Sequence, residues 1–98
     1  MPRYSLLLSS LALHDLLEIR EYVRRDDPGA AEKLVALLDE RLGMLASYPQ
    51  LGKVWEGEYR VLVIQNYLAF YVVTGNEVQV RRVVHGARGL DDLLEPFN

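Results

Sequence analysis

The chain has 98 residues, a formal charge of -3 and no cysteine, and half of its residues are hydrophobic. This length predicts a single domain, and the composition is that of a globular chain rather than a disordered one. The missing cysteines exclude disulfides, thiolate zinc sites and thiol catalysis, and they fit a reducing cytoplasm. The charge balance excludes a general electrostatic affinity for nucleic acid, and no apolar run is long enough to cross a bilayer. We therefore expect a cytoplasmic protein with no membrane partner and no strong direct binding to nucleic acid.

The first elements in chain order are a strand and an amphipathic helix. Residues 3–8 read as the strand, and Ser9 or Ser10 can cap the helix because a hydroxyl accepts from the unpaired N–H groups of a first turn. Apolar residues at helical spacing then predict the face that packs on the core. They are Ala12, Leu16, Ile19 and Val23, with Leu13, Leu17 and Tyr22 broadening the stripe.

A second helix is predicted over residues 28–47. Asp27 can cap it, and Pro28 suits a first helical position because its fixed φ is already helical. One face of this helix is apolar, through Ala31, Leu34, Val35, Leu38, Leu42 and Leu45. Since the connection to the first helix is so short, the two helices are expected to form an antiparallel hairpin.

After Pro49, Gly52 and Gly57 the hydrophobic period falls toward two. Strands are predicted over residues 59–64, 67–73 and 78–84, with a hairpin turn at Gly75 and Asn76, and residues 90–94 add a turn of helix or a tail. The order β-α-α-β-β-β predicts an α+β fold in which the helical hairpin packs on one face of a small antiparallel sheet. The opposite face of the sheet is left partly open.

The candidate functional residues gather toward the end of the chain. Alternation along the last strand puts Val78, Val80, Arg82 and Val84 on one face and Gln79, Arg81, Val83 and His85 on the other. Arg60 and Arg88 can converge on the same zone. Such an arginine–histidine cluster can bind a phosphate, orient an acidic partner or transfer a proton. The alternative is that these residues only pair with acidic side chains at the sheet rim.

Two single residues leave both a functional and a structural interpretation open. His85 is a candidate acid or base, or a hydrogen-bonded histidine at a strand end. Trp55 is an interface anchor if it is exposed, or a core residue if the loop covers it. With two histidines and no cysteine we expect no metal site, and no nucleotide or hydrolase motif predicts a cofactor.

The whole chain resembles the RelE/ParE toxin superfamily of bacterial type II toxin–antitoxin modules. The resemblance includes Tyr-Pro-Gln-Leu-Gly-Lys at 48–53 and His-Gly-Ala-Arg at 85–88. It extends over the segments 12–19, 27–31, 59–62, 66–73 and 82–88 in the same order. The family implies the β-α-α-β-β-β fold and an antitoxin of the ParD or RelB kind that wraps around the toxin and keeps it inactive.

The superfamily implies two mechanisms. ParE-type members bind and poison DNA gyrase, whereas RelE-type members cut messenger RNA in the ribosomal A site with a basic cluster. Several features favour the ParE branch: the HGAR stretch, the absence of a tyrosine after His85, and five basic against six acidic residues from Lys53 onward. Gly89 departs from that branch, which usually has Asp there. On this interpretation there are no catalytic residues, and the target-binding residues are Trp55, Arg60, Arg81, Arg82, His85 and Arg88.

The alternative is a ribosome-dependent endoribonuclease. Arg60, Arg82 and His85 would then reproduce the minimal arginine-plus-histidine set of some ribonuclease members. Glu56 or Glu58 would act as the base.

Overall fold

The computed structural model describes residues 3–86, which form two helices on one face of a five-stranded sheet. The elements in chain order are β1 (Ser5–Leu8), α1 (Ser10–Asp26), α2 (Pro28–Gly43), a 3₁₀ turn (Met44–Ala46), β2 (Lys53–Glu56), β3 (Tyr59–Ile64), β4 (Tyr67–Thr74) and β5 (Glu77–His85). The spatial order of the strands is β1-β5-β4-β3-β2. The predicted α+β class and helical hairpin are confirmed. The predicted element at 90–94 lies outside the described residues.

The sheet differs from the prediction in two ways. It is mixed rather than antiparallel, because β1 runs parallel to β5, with Ser5 opposite Glu77 and Leu8 opposite Val80. It also contains the short edge strand β2, which pairs with β3 through Lys53–Val61 and Val54–Arg60. The remaining neighbours are antiparallel.

Side-chain caps set the limits of the helices. The Ser9 hydroxyl accepts from the Ala12 N–H at 3.0 Å, and the Asp27 carboxylate accepts from the Ala30 N–H at 3.1 Å. Asp27 also donates its own N–H to the Val23 carbonyl at 2.9 Å, so one residue ends α1 and begins α2. The α-helix α2 ends at Gly43 rather than at residue 47, because its last turn tightens into the 3₁₀ turn. No helix among the described residues is long and apolar enough to cross a membrane.

The main core lies between the helical hairpin and the sheet. Its fully buried members include Leu38, Leu45, Tyr71, Val78 and Val80. A smaller cluster on the opposite face is centred on Phe70 and Val84, with partly buried apolar side chains around them, namely Trp55, Tyr59, Val61 and Leu68. The opposite face is therefore partly apolar in its own right.

The predicted core stripe of α1 is too wide. Leu16 and Ile19 pack on the core, and Ala12 is buried in it. Leu13, Leu17 and Tyr22 are instead 49%, 63% and 71% exposed. A helix lying on a sheet buries one face, so residues at the margins of a broad apolar stripe remain in solvent.

A β-bulge in β5 changes which residues of that strand lie on each face of the sheet. Tyr71 is opposite Val80 and Phe70 is opposite Arg82, so Arg81 has no partner of its own on β4. The extra residue reverses the alternation beyond it. Val83 consequently joins the core beneath the helices, whereas Val84 packs with Phe70 on the opposite face.

Candidate functional site

A cleft of about 340 Å³ lies between α1 and the end of β5. Its lining combines carboxylates, aromatic rings and aliphatic side chains, from Asp15, Glu18, Ile19, Tyr22, Tyr67, Val83, Val84 and His85. Of the predicted functional residues within 3–86, His85 alone lines this cleft. The cleft combines polar and apolar groups, as binding sites do.

One carboxylate of the cleft, Asp15, forms an ion pair with Arg82. The Asp15 carboxylate accepts from Arg82 Nε at 2.8 Å and from Arg82 Nη2 at 3.0 Å, and the two side chains are 11% and 13% exposed. The hydrogen bond to Asp15 raises the pKa of the Arg82 guanidinium, and burial acts against it. This bidentate geometry fixes Arg82 in place and occupies two of its donor nitrogens.

The Asp15 carboxylate also binds the backbone of β5 at the sheet edge where β1 stops. Beyond Val80, strand β5 has no β1 neighbour, and its exposed backbone edge is met by side chains of the helix start. The Val83 N–H donates to Asp15 Oδ2 at 2.9 Å, and the Ser9 hydroxyl donates to the Arg81 carbonyl at 2.7 Å. Asp15 therefore holds both the side chain and the backbone of the strand end.

His85 lies against Tyr67 at the mouth of the cleft. Their ring centroids are 5.2 Å apart at an interplanar angle of 84°, an edge-to-face contact. Burial raises the pKa of the Tyr67 hydroxyl, and the neighbouring Tyr22 adds to the shift. The imidazole is exposed, so it is accessible to a partner.

Arg60 lies in a different part of the molecule. It is opposite Tyr71 on β4, whereas His85 is opposite Tyr67, so four residues of strand, about 13 Å, separate the two positions along β4. Its Nη1 donates to the Gly52 carbonyl at 2.8 Å. The structure does not bring Arg60 to His85.

The other predicted residues also have separate surroundings. Arg81 Nη2 donates to Gln79 Oε1 at 2.8 Å, and Gln79 in turn donates to Glu77 at 3.0 Å, which makes a ladder along β5. Trp55 packs edge-to-face on Phe70 with a centroid distance of 5.6 Å. The Trp55 Nε1–H is buried and has no hydrogen-bond partner among the described residues. Trp55 thus belongs to the cluster on the opposite face. Arg88 lies outside the described residues.

Sequence reasoning missed most of the cleft. Asp15 and Glu18 look like the solvated side of α1, and Tyr67 looks like a packing residue. One signal was available in the sequence. Asp15 lies on the polar face of α1 with Glu18, yet Asp15 is also four residues before Ile19, which belongs to the buried stripe. Within residues 3–86, no three His, Asp or Glu side chains lie together as a metal site would require.

The fold and sequence place the chain among known toxins. The family described as "ParE toxin of type II toxin-antitoxin system, parDE" matches residues 6–90, and the chain belongs to this family. It is also 35% identical over 78 residues to Toxin RelE2 of Caulobacter vibrioides, an alignment that covers 79% of this chain and 89% of that protein. It is therefore a toxin of a type II toxin–antitoxin system within the ParE/RelE superfamily.

Solved structures share the fold. The chromosomal ParDE toxin–antitoxin system of P. aeruginosa contains a chain that superposes with a TM-score of 0.77 at 23% identity, covering 87% of this chain and 98% of that one. The RelBE2 toxin–antitoxin complex of Mycobacterium tuberculosis gives a TM-score of 0.63 at 19% identity, covering 85% and 98%. At these identities the two structures establish the common fold.

Proposed function

We propose that this toxin arrests growth by binding DNA gyrase and that a cognate antitoxin of the ParD or RelB kind neutralises it. The match to the ParE family over residues 6–90 supports the proposal. The observation that carries it is the separation of Arg60 from His85, two of the three residues that a RelE-like ribonuclease would need together with Arg82.

The two arginines are already engaged within the protein. Arg82 gives two nitrogens to the largely buried Asp15, and Arg60 gives one to the Gly52 carbonyl. If Arg82 turned to an RNA phosphate, it would leave the Asp15 carboxylate without its countercharge, which costs about 3 kcal/mol. A surface that acts by binding a protein does not require these three side chains to converge.

The described surface offers the antitoxin two kinds of contact. Leu13 and Leu17 lie one turn apart on α1 and are exposed, as an anchor for a partner helix requires. Strands β1 and β2 are the two edges of the sheet and can accept an added strand. We therefore place the antitoxin across the helical hairpin and one of these edges.

The similarity to a protein named Toxin RelE2 supports a second candidate, a ribosome-dependent messenger RNA endonuclease. In that mechanism Arg60, Arg82 and His85 would act with Glu56 or Glu58 as the base. Glu56 and Glu58 border the β2–β3 turn, and Glu56 is opposite Tyr59. That turn joins β2 and β3, and strand β4 lies between β3 and β5.

A paired assay of the purified chain tests the proposal. One arm measures gyrase supercoiling and trapped cleavage complexes, and the other measures messenger RNA cleavage on programmed ribosomes. We expect trapped gyrase complexes and intact messenger RNA, with gyrase activity restored by the product of the neighbouring reading frame. Cleavage on ribosomes with unaffected gyrase would establish the second candidate instead. Normal growth on expression of the chain would contradict both.

Two variants sharpen the assay. His85→Ala removes an exposed side chain that both candidates use, and we expect it to reduce toxicity. Arg24→Ala is the matched control, because among the described residues Arg24 forms only an exposed pair with Glu21 on α1. Equal toxicity of the two variants would remove His85 from the target-binding surface.

A further inference from the structure

The cleft between α1 and β5 has walls of a particular chemistry. Ile19 supplies aliphatic surface, the rings of Tyr22 and Tyr67 supply π faces, and the nearly fully buried Val83 and Val84 complete the lining. The charges come from the carboxylates of Asp15 and Glu18, and none of the described lining residues is a lysine or an arginine. An aliphatic and aromatic cleft with a carboxylate at its mouth suits a long side chain that ends in a cation.

The two carboxylates are not equally available. Asp15 already accepts three hydrogen bonds, two from Arg82 and one from the Val83 N–H. Glu18 is 61% exposed, pairs with the exposed His14 imidazole at 3.1 Å, and acts on the Arg82 guanidinium through its charge. Glu18 is therefore the group that can receive an incoming cation, and His14 is its replaceable neighbour.

Tyr22 is also placed to contact an incoming cation. Its side chain is 71% exposed although it lies beside a cavity, so a large aromatic surface faces solvent. Tyrosine at an exposed rim gives contact area at a small entropic cost and can stack on a guanidinium.

We infer that this cleft accepts an arginine side chain of the antitoxin, with its aliphatic stem on Ile19 and its guanidinium between Glu18 and Tyr22. The inference rests on the proposed antitoxin partner and adds to it the kind of residue that the antitoxin presents. The planar guanidinium is preferred to an ammonium because it can stack on tyrosine while it pairs with a carboxylate.

Peptide binding tests the cleft without any antitoxin. The ¹⁵N-labelled full chain is titrated with the acetylated tripeptide amide Leu-Arg-Leu, and with the same peptide carrying citrulline, the neutral isostere of arginine. We expect chemical-shift changes at Glu18, Tyr22 and Tyr67 and binding of the arginine peptide about fivefold tighter than of the citrulline peptide. Equal binding of the two peptides, or shifts elsewhere on the chain, would overturn the inference.

Variants locate the interaction. Glu18→Gln keeps the shape of the side chain and removes its charge, and we expect it to weaken the arginine peptide about fivefold. Tyr22→Ala is expected to weaken it to a similar degree. Glu21→Gln is the matched control, since Glu21 is on the same helix but outside the cleft lining and pairs with Arg24. Equal losses in Glu18→Gln and Glu21→Gln would show a general charge effect and overturn the site.

Co-expression with the neighbouring reading frame separates this inference from the proposed function. If the wild-type chain retains the antitoxin and Glu18→Arg releases it, both are supported. If the antitoxin remains bound to Glu18→Arg, the arginine site is overturned while the antitoxin partnership stands. If the wild-type chain retains no antitoxin, the partnership fails, and the inference that depends on it fails with it.

Discussion

The hydroxyl of Tyr71 lies closer to Gly52 than a side chain at that position would allow. It accepts from the Gly52 N–H at 2.8 Å and donates to the Pro49 carbonyl at 2.7 Å. A Cβ at position 52 would lie 2.7 Å from this hydroxyl and 2.7 Å from the Val61 carbonyl oxygen. Arg60 adds a third bond by donating to the Gly52 carbonyl. Three hydrogen bonds thus hold the loop before β2 against the middle of the sheet, at a position that only glycine fits.

We expect Gly52→Ala to destabilise the protein by at least about 2 kcal/mol, because the added methyl group would displace the Tyr71 ring or the β3 backbone. Urea unfolding followed by circular dichroism measures the loss. Gly43→Ala is the matched control. A Cβ at Gly43 meets nothing within 4 Å, so this variant should be neutral or more stable by about 0.5–1 kcal/mol. Equal stability of Gly52→Ala and wild type would contradict the close packing at position 52.

Tyr71 also predicts a pH dependence at alkaline pH. Burial raises the pKa of its hydroxyl above the ordinary 10.0, although the Gly52 N–H and Arg60 offset part of the shift. A raised folded pKa gives stability that is complete below pH 10 and is lost as the pH rises toward the folded value, because the unfolded chain releases its proton first. We therefore expect the free energy of unfolding to fall as the pH rises above about 10.

Tyr71→Phe tests whether the Tyr71 hydroxyl causes this pH dependence. The variant should be less stable by about 1–3 kcal/mol at neutral pH, since the Gly52 N–H and the Pro49 carbonyl lose their partner. Its stability should also decline less steeply at alkaline pH than that of wild type. The part of the decline that persists is assigned to Tyr67, whose pKa is raised as well. An unchanged slope in Tyr71→Phe would assign the alkaline loss to other groups.

Removal of Asp15 should be among the more damaging single changes on the surface of α1. Asp15→Ala leaves the Arg82 guanidinium and the Val83 N–H without their acceptor, and we expect a loss of about 3 kcal/mol. Glu21→Ala removes an exposed pair with Arg24 and should cost at most about 0.5 kcal/mol. Thermal unfolding of both variants checks the difference. Similar midpoints would show that the Asp15 contacts contribute little.

A turn residue offers a stabilising change. Gln65, between β3 and β4, has a φ of 54°, a region in which a side chain is strained. Gln65→Gly should therefore raise the free energy of unfolding by about 0.5–1 kcal/mol. Gly57→Ala is the reverse control, since Gly57 has a φ of 57° in open space and should lose a similar amount. A loss of stability in Gln65→Gly would mean that the glutamine side chain contributes contacts that outweigh its strain.

The elements with long periodic patterns were predictable from the sequence, and the tertiary relationships between them were not. The limits of β3 follow from its pattern, and Ser9 and Asp27 are recognisable caps. Strand β2 was missed because four residues bounded by glycines show too little alternation, and its identity as a strand depends on pairing with β3. Parallel pairing of β1 with β5 leaves no local signature.

The candidate site was predicted in part for a related reason. His85 was identified because it ends an alternating strand. The bulge at Arg81 could not be read from alternation, since a single inserted residue reverses the faces of everything after it. Asp15 is polar on a helix, which predicts exposure, and only the end of β1 reveals that it closes the edge of β5. The pairing of Arg82 with a residue 67 positions earlier is set by the tertiary fold.

The contacts between the two ends of the described chain have a kinetic consequence. Strand β1 pairs in the sheet with β5, and the start of α1 also bonds β5, as in the Ser9–Arg81 bond, which spans 72 residues. During synthesis these early segments must wait until the last strand has been made, and closing so long a loop slows folding. A nascent chain that lacks β5 would have neither its sheet edge closed nor its cleft formed. The toxin fold is therefore assembled late, so premature termination of translation should yield chains without a folded binding surface.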